Sequence, residues 1–414
     1  MRAAILRTSL LLTLASPLAA QARDCDGYFT PLVVPAGFCV RVWARQAGAV
    51  RHLVVHPSGW VVAALNTAPG LVRFRDAKDT GTADQAIPFG PGDAGTGVAW
   101  GGGWLYFASD GALYRYRWPA NRDAPDSEPE VIAKNLPVSG AGWAHNMKGL
   151  ALSRDGTVYL SYGSRTDNCQ AGEEGPHPGL WPCPELNERA GVWSFTPPTA
   201  PGKAWTVARV ATGLRNAESI AIDTITEHIW AATHGRDFLN HMWGWPDSIS
   251  ANQPAEMLEQ IVPQADYGWP YCMGEWTTTH STLIRAPEYS QRAEVDCSLK
   301  TQPILGFPGH WAPMAIALSN AAVPEPYTHG LLIAFHGSRS RAPLPEDGHY
   351  LIFVPFDSHG RPTSDTRIML RSNEPPGALR LAGVTVTPDG MIYVADDDHG
   401  VVFRIEPHVP KVRN

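Results

Sequence analysis

The sequence predicts an all-β protein, a six-bladed β-propeller with four-stranded antiparallel blades and long loop insertions. Three observations carry that expectation. A single hairpin pattern recurs six times, and further strand-like runs lie between the copies. The composition, with 39 Gly, 37 Pro and 15 Trp, suits turns and aromatic packing and lacks long helical patterns. Repeated antiparallel units of this size bury their faces against one another in a ring. A β-sandwich, the competing architecture, calls for fewer and more even strands.

The clearest copy runs from His145 to Ser164. Leu150-Ala151-Leu152 is a short apolar strand, Asp155-Gly156 is a tight turn, and Val158-Tyr159-Leu160-Ser161-Tyr162 returns the chain. The start of the first strand and the end of the second share one end of an antiparallel hairpin, so His145 and Ser164 are expected together at its mouth. The other copies span 52–64, 97–108, 219–233, 314–335 and 383–396, and runs at 113–116, 191–195, 351–356 and 401–405 stand where third strands belong. The spacing widens at 167–186 and 238–305, which are expected to be surface loops, with a short helical piece at 254–261.

The first 22 residues read as a secretory leader. Arg2 and Arg7 precede an apolar stretch, and Ala20-Gln21-Ala22 is a small-x-small cleavage signal. The apolar stretch is too short for a membrane anchor, and no other stretch is long and apolar enough to span a bilayer. A single propeller domain over 23–414, in the periplasm or outside the cell, is the expectation. Six cysteines fit an oxidising compartment and fall into local couples: Cys25 with Cys39, Cys169 with Cys183, Cys272 with Cys297. The spacing leaves the connectivity open, and short loop closure favours nearest neighbours. A zinc site is the alternative use, but Cys-x-x-Cys is absent. With a formal net charge of −7 and no basic tract, nucleic acid and anionic membranes are not expected partners.

Propeller ligands bind on the axis at one face. The hairpin rule names the residues there: His145, Asn146, Ser164 and Arg165 from copy three; Arg215, Asn216, Glu218, His234, Gly235, Arg236 and Asp237 from copy four; His310, Trp311, His336, Ser338, Arg339 and Arg341 from copy five; Arg380, Asp396, Asp397 and Asp398 from copy six. Copies one and two contribute mostly small or neutral residues, Asn66 and Thr96 among them. Taken singly each arginine is an ordinary salt-bridge former, but converging arginines and histidines point to an anionic ligand with several carboxylates or phosphates.

These motifs carry a resemblance. Gly213-Leu214-Arg215-Asn216, Thr233-His234-Gly235-Arg236-Asp237 and Asp266-Tyr267-Gly268-Trp269-Pro270-Tyr271-Cys272, followed by His336-Gly337-Ser338-Arg339 and Arg380 before Gly383-Val384-Thr385-Val386, are similar to the soluble PQQ-dependent sugar dehydrogenases, the glucose/sorbosone and pyranose dehydrogenase superfamily. The resemblance covers most of the mature chain. It implies pyrroloquinoline quinone (PQQ), a flat tricarboxylate, and a calcium ion. His145 would be the base that takes the substrate hydroxyl proton, and Arg215, Asn216, Arg339, Arg380 and His336 would hold the quinone. Two backbone carbonyls, falling here on Gly235 and Arg236, would bind calcium, with Asp237, Glu256 and the Tyr267 region as further candidates for a calcium near that loop. The partners implied are a sugar substrate and an external electron acceptor, a cytochrome or a quinone-type carrier, since no Cys-x-x-Cys-His haem motif is present.

The chain departs from the glucose-dehydrogenase pattern at three points. Ser164 stands where an acid would orient the catalytic histidine, a lysine near the end of the fifth blade is missing, and a second arginine after Arg380 is replaced by Ala382. These features lie closer to the sorbosone-type branch. Two other readings compete: a calcium-dependent propeller lactonase with side-chain carboxylate ligands, and a non-catalytic carbohydrate-binding propeller. More Arg and His than Asp and Glu at the axial face favours the quinone.

Overall fold

The computed structural model describes residues 25, 31–46, 48–140, 145–172, 177–200, 202–277, 281–375 and 377–408. The expected leader, 1–22, lies outside them. Six antiparallel sheets form the ring. Their inner strands are Val50–Val55, Gly95–Gly101, Leu150–Leu152, Ser219–Ile222, Pro313–Ser319 and Leu381–Val386, one per expected hairpin copy. Blade 6 takes its outer strand, Phe38–Arg45, from the start of the chain, where Val40 pairs with Ile405 and Val42 with Phe403. That pairing fastens the two ends of the described chain together and closes the ring. Blade 5 gains a fifth strand, Leu32–Val33.

The core lies between blades rather than on the axis. One apolar cluster fills each junction, as where Trp60, Leu71, Val98, Leu105, Phe107 and Trp118 join blades 1 and 2, or Phe38, Leu332, Phe353, Leu381 and Val394 join blades 5 and 6. Each fully buried side chain of this size contributes about 1.5–3 kcal/mol. Middle strands such as Val61–Leu65, Ile229–Thr233 and Gly330–Phe335 are buried on both faces, so they read as apolar runs without alternation.

The same effect corrects the helical expectation at 254–261. Residues Glu256–Ile261 form the third strand of blade 4, pairing Met257 with Thr233 and Leu258 with Ala232. Their burial on both faces mimics helical spacing. The short helices of this insertion are Leu239–Trp243 and Asp247–Ser250, and a hairpin, Cys272–Trp276 with Ser281–Arg285, stands out from the blade. The three nearest-neighbour disulfides are present: Cys25–Cys39, Cys169–Cys183 and Cys272–Cys297. Two of them pin the insertions that overhang the mouth, where Tyr289 hydroxyl donates to Cys169 carbonyl at 3.3 Å. Among the described residues, no helix is long and apolar enough to cross a membrane.

Candidate active site

The hairpin of blade 3 brings His145 and Ser164 together as its geometry requires. His145 N donates to the Ser164 carbonyl at 3.0 Å. The ring Nδ1 lies 3.0 Å from Ser164 Oγ and 3.2 Å from the Ser164 carbonyl oxygen. Ser164 Oγ spends its own hydrogen on the Thr166 carbonyl at 2.7 Å. Both neighbours of Nδ1 therefore accept, and the hydrogen-bond network assigns the ring hydrogen to Nδ1, leaving Nε2 a lone pair with no partner among the described residues. Burial, and then the nearby Arg215 and His234, hold the imidazole pKa well below 6.5. The ring is a neutral base at neutral pH.

Gly163 sets its position. A Cβ on Gly163 would lie 2.4 Å from His145 Cβ and 2.8 Å from Asn216 Oδ1. Gly163→Ala is expected to push the imidazole off its place and to cost about 10²-fold in kcat, the scale of a misplacement of about 1 Å. The same crowding should lower the thermal midpoint only modestly, on the scale of the ~1–3 kcal/mol of an overpacked interior. A variant with unchanged kcat would show that the ring has no fixed working position. Lys148, buried below this segment, donates to the Pro137 carbonyl at 3.0 Å and to the Asn146 carbonyl, and burial pulls its amine down to about 7.

The arginines at the mouth bring their own carboxylates. Arg215 donates from Nη2 to Asp167 at 2.5 Å and to Asp237 at 3.2 Å, from Nε to the Asp167 carbonyl at 2.9 Å, and from Nη1 to the Gly235 carbonyl at 2.6 Å. Arg236 is buried against Glu288 and lies 3.0 Å from Asp167. Arg380 donates from Nη2 to Glu346 at 2.5 Å and from Nη1 to the His336 carbonyl at 3.4 Å. Arg339 is 84% exposed and 3.6 Å from Glu346. The mouth is thus an interlocked set of ion pairs, which corrects the expectation that cations outnumber acids there. Asp167, Glu288 and Glu346 sit in insertions and connecting loops, away from the hairpin ends that the hairpin rule names.

The axis also holds a residue that the first copy was not expected to supply. Arg51, buried, pairs with Glu218 of blade 4 and Asp397 of blade 6 and lies 3.0 Å from Met147 Sδ. Asp397 receives His336 Nε2 at 3.0 Å, and His336 Nδ1 faces the Gly337 carbonyl at 3.0 Å. His336 is therefore clamped between acceptors at the edge of the mouth.

The expected calcium candidates separate. Asp237 gives one oxygen to Arg215 and the other to His310 Nδ1 at 3.2 Å, while His310 Nε2 meets the Ser250 carbonyl at 2.9 Å. Hydrogen bonding from His310 and the charge of Arg215 hold the Asp237 carboxyl well below its usual range, and bonding to Asp237 raises the His310 pKa. Glu256 accepts the backbone N–H groups of Gly235 at 2.9 Å and Ala312 at 3.1 Å. Tyr267 is buried in the core between blades 3 and 4, its hydroxyl bonded to the Gln260 carbonyl and Val262 N. The structure does not bring Tyr267 to the mouth, and it commits the side chains of Asp237 and Glu256 to protein partners. The Gly235 carbonyl keeps one lone pair beyond its bond to Arg215.

The donors left over suit a flat polycarboxylate. Arg380 retains Nε and one hydrogen on each terminal nitrogen after its two bonds, and Arg339 is exposed; the buried Asn216 leaves its Oδ1 unpartnered among the described residues, an acceptor that suits a donor or a metal ion and not a carboxylate. The acids orient the guanidinium groups before a ligand arrives. The residues present therefore fit such a group. They offset only part of its charge, because each buried arginine is already matched.

The chain matches the TrAA12-like family over residues 32–408. No curated protein sequence matches it. Among solved structures it is similar to the calcium structure of the Trichoderma reesei carbohydrate-active enzyme family AA12, with 17% identity, a TM-score of 0.75, and coverage of 93% of this chain and 100% of that one. It is similar to the holo form of the pyranose dehydrogenase PQQ domain from Coprinopsis cinerea, with 18% identity, a TM-score of 0.73, and 92% and 99% coverage. The PQQ-bound aldose sugar dehydrogenase of Streptomyces coelicolor aligns with a TM-score of 0.53 at 16% identity over 90% and 99%. The family match spans nearly the whole described chain, and the protein belongs to the TrAA12-like family.

Proposed function

We propose that this protein is an exported dehydrogenase that uses PQQ and calcium to oxidise a sugar or a related polyol or aldehyde. The observation that carries the reading is His145, a neutral imidazole whose Nδ1 is fixed by Ser164 and whose Nε2 is free among the described residues, beside Arg215 at the mouth. PQQ bound there supplies the hydride-accepting carbonyl, and calcium polarises it. Arg380 and Arg339 would hold the quinone carboxylates, with Asn216 and Arg215 beside them, while His336, both of whose ring nitrogens are committed to Asp397 and the Gly337 carbonyl, would border the quinone without donating to it. The carbonyls of Gly235 and Arg236 take the calcium. His145 Nε2 accepts the proton of the substrate hydroxyl, and Ser164 keeps the ring in the tautomer that can do so. Support comes from the family and from what two neighbours are named as holding, a PQQ domain in one and bound PQQ in the other. The three disulfides fit an oxidising compartment.

A metal-dependent lactonase needs carboxylates presented to its ion, whereas Asp237 and Glu256 are spent on Arg215, His310 and backbone N–H groups. The test of the dehydrogenase reading is visible absorbance: the cofactor-loaded protein should bleach when a panel of aldoses is added and recover with an electron-accepting dye. Loaded protein that no aldose, polyol or aldehyde bleaches would overturn it. The pH dependence follows from His145. The base works when unprotonated, so the acid limb of kcat/KM should fall below pH 6.5, displaced in the direction of the depressed imidazole pKa. An acid limb above 6.5 would remove His145 from the role.

A further inference from the structure

At the end of the ring opposite His145, blades 2 and 3 part to form a cavity of about 440 Å³. It lies at the hairpin turns, with Trp104, Arg115, Leu152, Arg154, Asp155 and Thr224 among its lining residues. The glycine run 101–103 shapes it. Trp104 stands directly across from Gly101, so the two share a face of the sheet. A side chain at Gly101 would meet Leu152 Cδ2 at 2.8 Å, so glycine lets Leu152 close the floor while Trp104 forms the wall. No other atom approaches the Cβ direction of Gly102 within 4 Å, which leaves the rim open.

The charges lining this cavity are all matched inside the chain. Arg115 lies 2.7 Å from Glu130 and stacks 4.0 Å over the Trp104 ring. Arg154 lies 2.7 Å from Glu227. Asp155 accepts Thr157 N at 2.9 Å, Thr157 Oγ1 at 3.2 Å and the Ser153 hydroxyl. The cavity therefore offers an indole, a planar guanidinium and hydroxyl-bonding groups with no unmatched cation to draw an anion. Arg115 covers one face of the Trp104 ring, so the combination suits a neutral polyhydroxylated ring whose apolar face packs against the indole beside Arg115 and whose edge carries hydroxyls. The volume is in the usual range for a small-molecule site, about 300–1,000 Å³.

We infer that this cavity is a second saccharide site, one that holds neutral pyranose units of a polymeric glycan at the far end of the ring from the mouth. The choice of a glycan rests on the sugar-oxidising reading. The site itself requires neither PQQ nor calcium. The test is titration of the purified full chain, without cofactor, with cellohexaose, xylohexaose and trigalacturonate, followed by tryptophan fluorescence and calorimetry. At least one neutral oligosaccharide should bind saturably and trigalacturonate should not. Trp104→Ala should weaken binding tenfold or more, and Thr224→Trp, an exposed loop change that fills the cavity, should abolish it with an unchanged thermal midpoint. No neutral binding, binding of trigalacturonate alone, or binding untouched by Thr224→Trp overturns the inference. If PQQ fails to bind but these results hold, the dehydrogenase reading falls and the saccharide site stands. If PQQ binds and aldoses reduce it while the oligosaccharides do not bind, only the second site is lost.

Discussion

Replacing His145 with glutamine is expected to lower kcat by about 10²–10⁴-fold, the usual contribution of a positioned general base, while PQQ and calcium still bind. The prediction follows from the geometry of one ring. Nδ1 is committed to Ser164, so only Nε2 can receive a proton, and burial with nearby positive charge keeps it unprotonated at neutral pH. Glutamine can keep a hydrogen bond to Ser164 but offers no basic nitrogen. Stopped-flow reduction of the loaded protein by an aldose reads the step directly. A loss below tenfold would mean that another group takes the proton.

Replacing Arg51 with methionine is expected to cost about 3–5 kcal/mol in unfolding free energy, the scale of breaking a buried ion pair from one side. Among the described residues Arg51 is the one cation bonded to the wholly buried Glu218, and it shares Asp397 with His336. Without the guanidinium, two carboxylates remain beside each other in a dry interior where burial penalises their charge. Urea denaturation checks the loss, and a second change, Glu218→Gln, should restore part of it by removing one stranded charge. A loss under about 1 kcal/mol would place the triad among weak surface-like pairs. Because Arg51 joins blades 1, 4 and 6 across the axis, the same variant should also loosen His336, seen as weaker PQQ binding.

Much of the ring is legible along the chain because each blade announces itself by a tight turn between two short apolar strands. The rule that both ends of such a hairpin meet at one mouth places His145 on Ser164 to within a hydrogen bond. The rule weakens where a strand is buried on both faces. Met257, Leu258 and Ile261 then have helix-like spacing, and only pairing with Ile229–Thr233 makes them a strand. It also cannot supply partners that arrive from insertions. Asp167 and Glu288 meet Arg236 because loops pinned by Cys169–Cys183 and Cys272–Cys297 fold over the mouth. No local pattern encodes that meeting. The arginines are visible in sequence, but their neutralisation is a tertiary fact, and it changes what the mouth requires of a ligand.

What the mouth requires of a ligand can be measured directly. The buried arginines are already matched by Asp167, Asp237, Glu288 and Glu346, so a tricarboxylate entering alone meets little spare positive charge beyond the exposed Arg339. The proposed calcium would supply the charge that the mouth lacks. The measurement is titration of the purified protein with PQQ in calcium and in a calcium chelator, with Arg380→Ala alongside. Saturable binding is expected in calcium, with at least 10²-fold weaker binding without it, on the scale of about 2.7 kcal/mol, and weakened binding in the Arg380 variant. Absence of PQQ binding in calcium, or binding equally tight in chelator, would contradict that expectation.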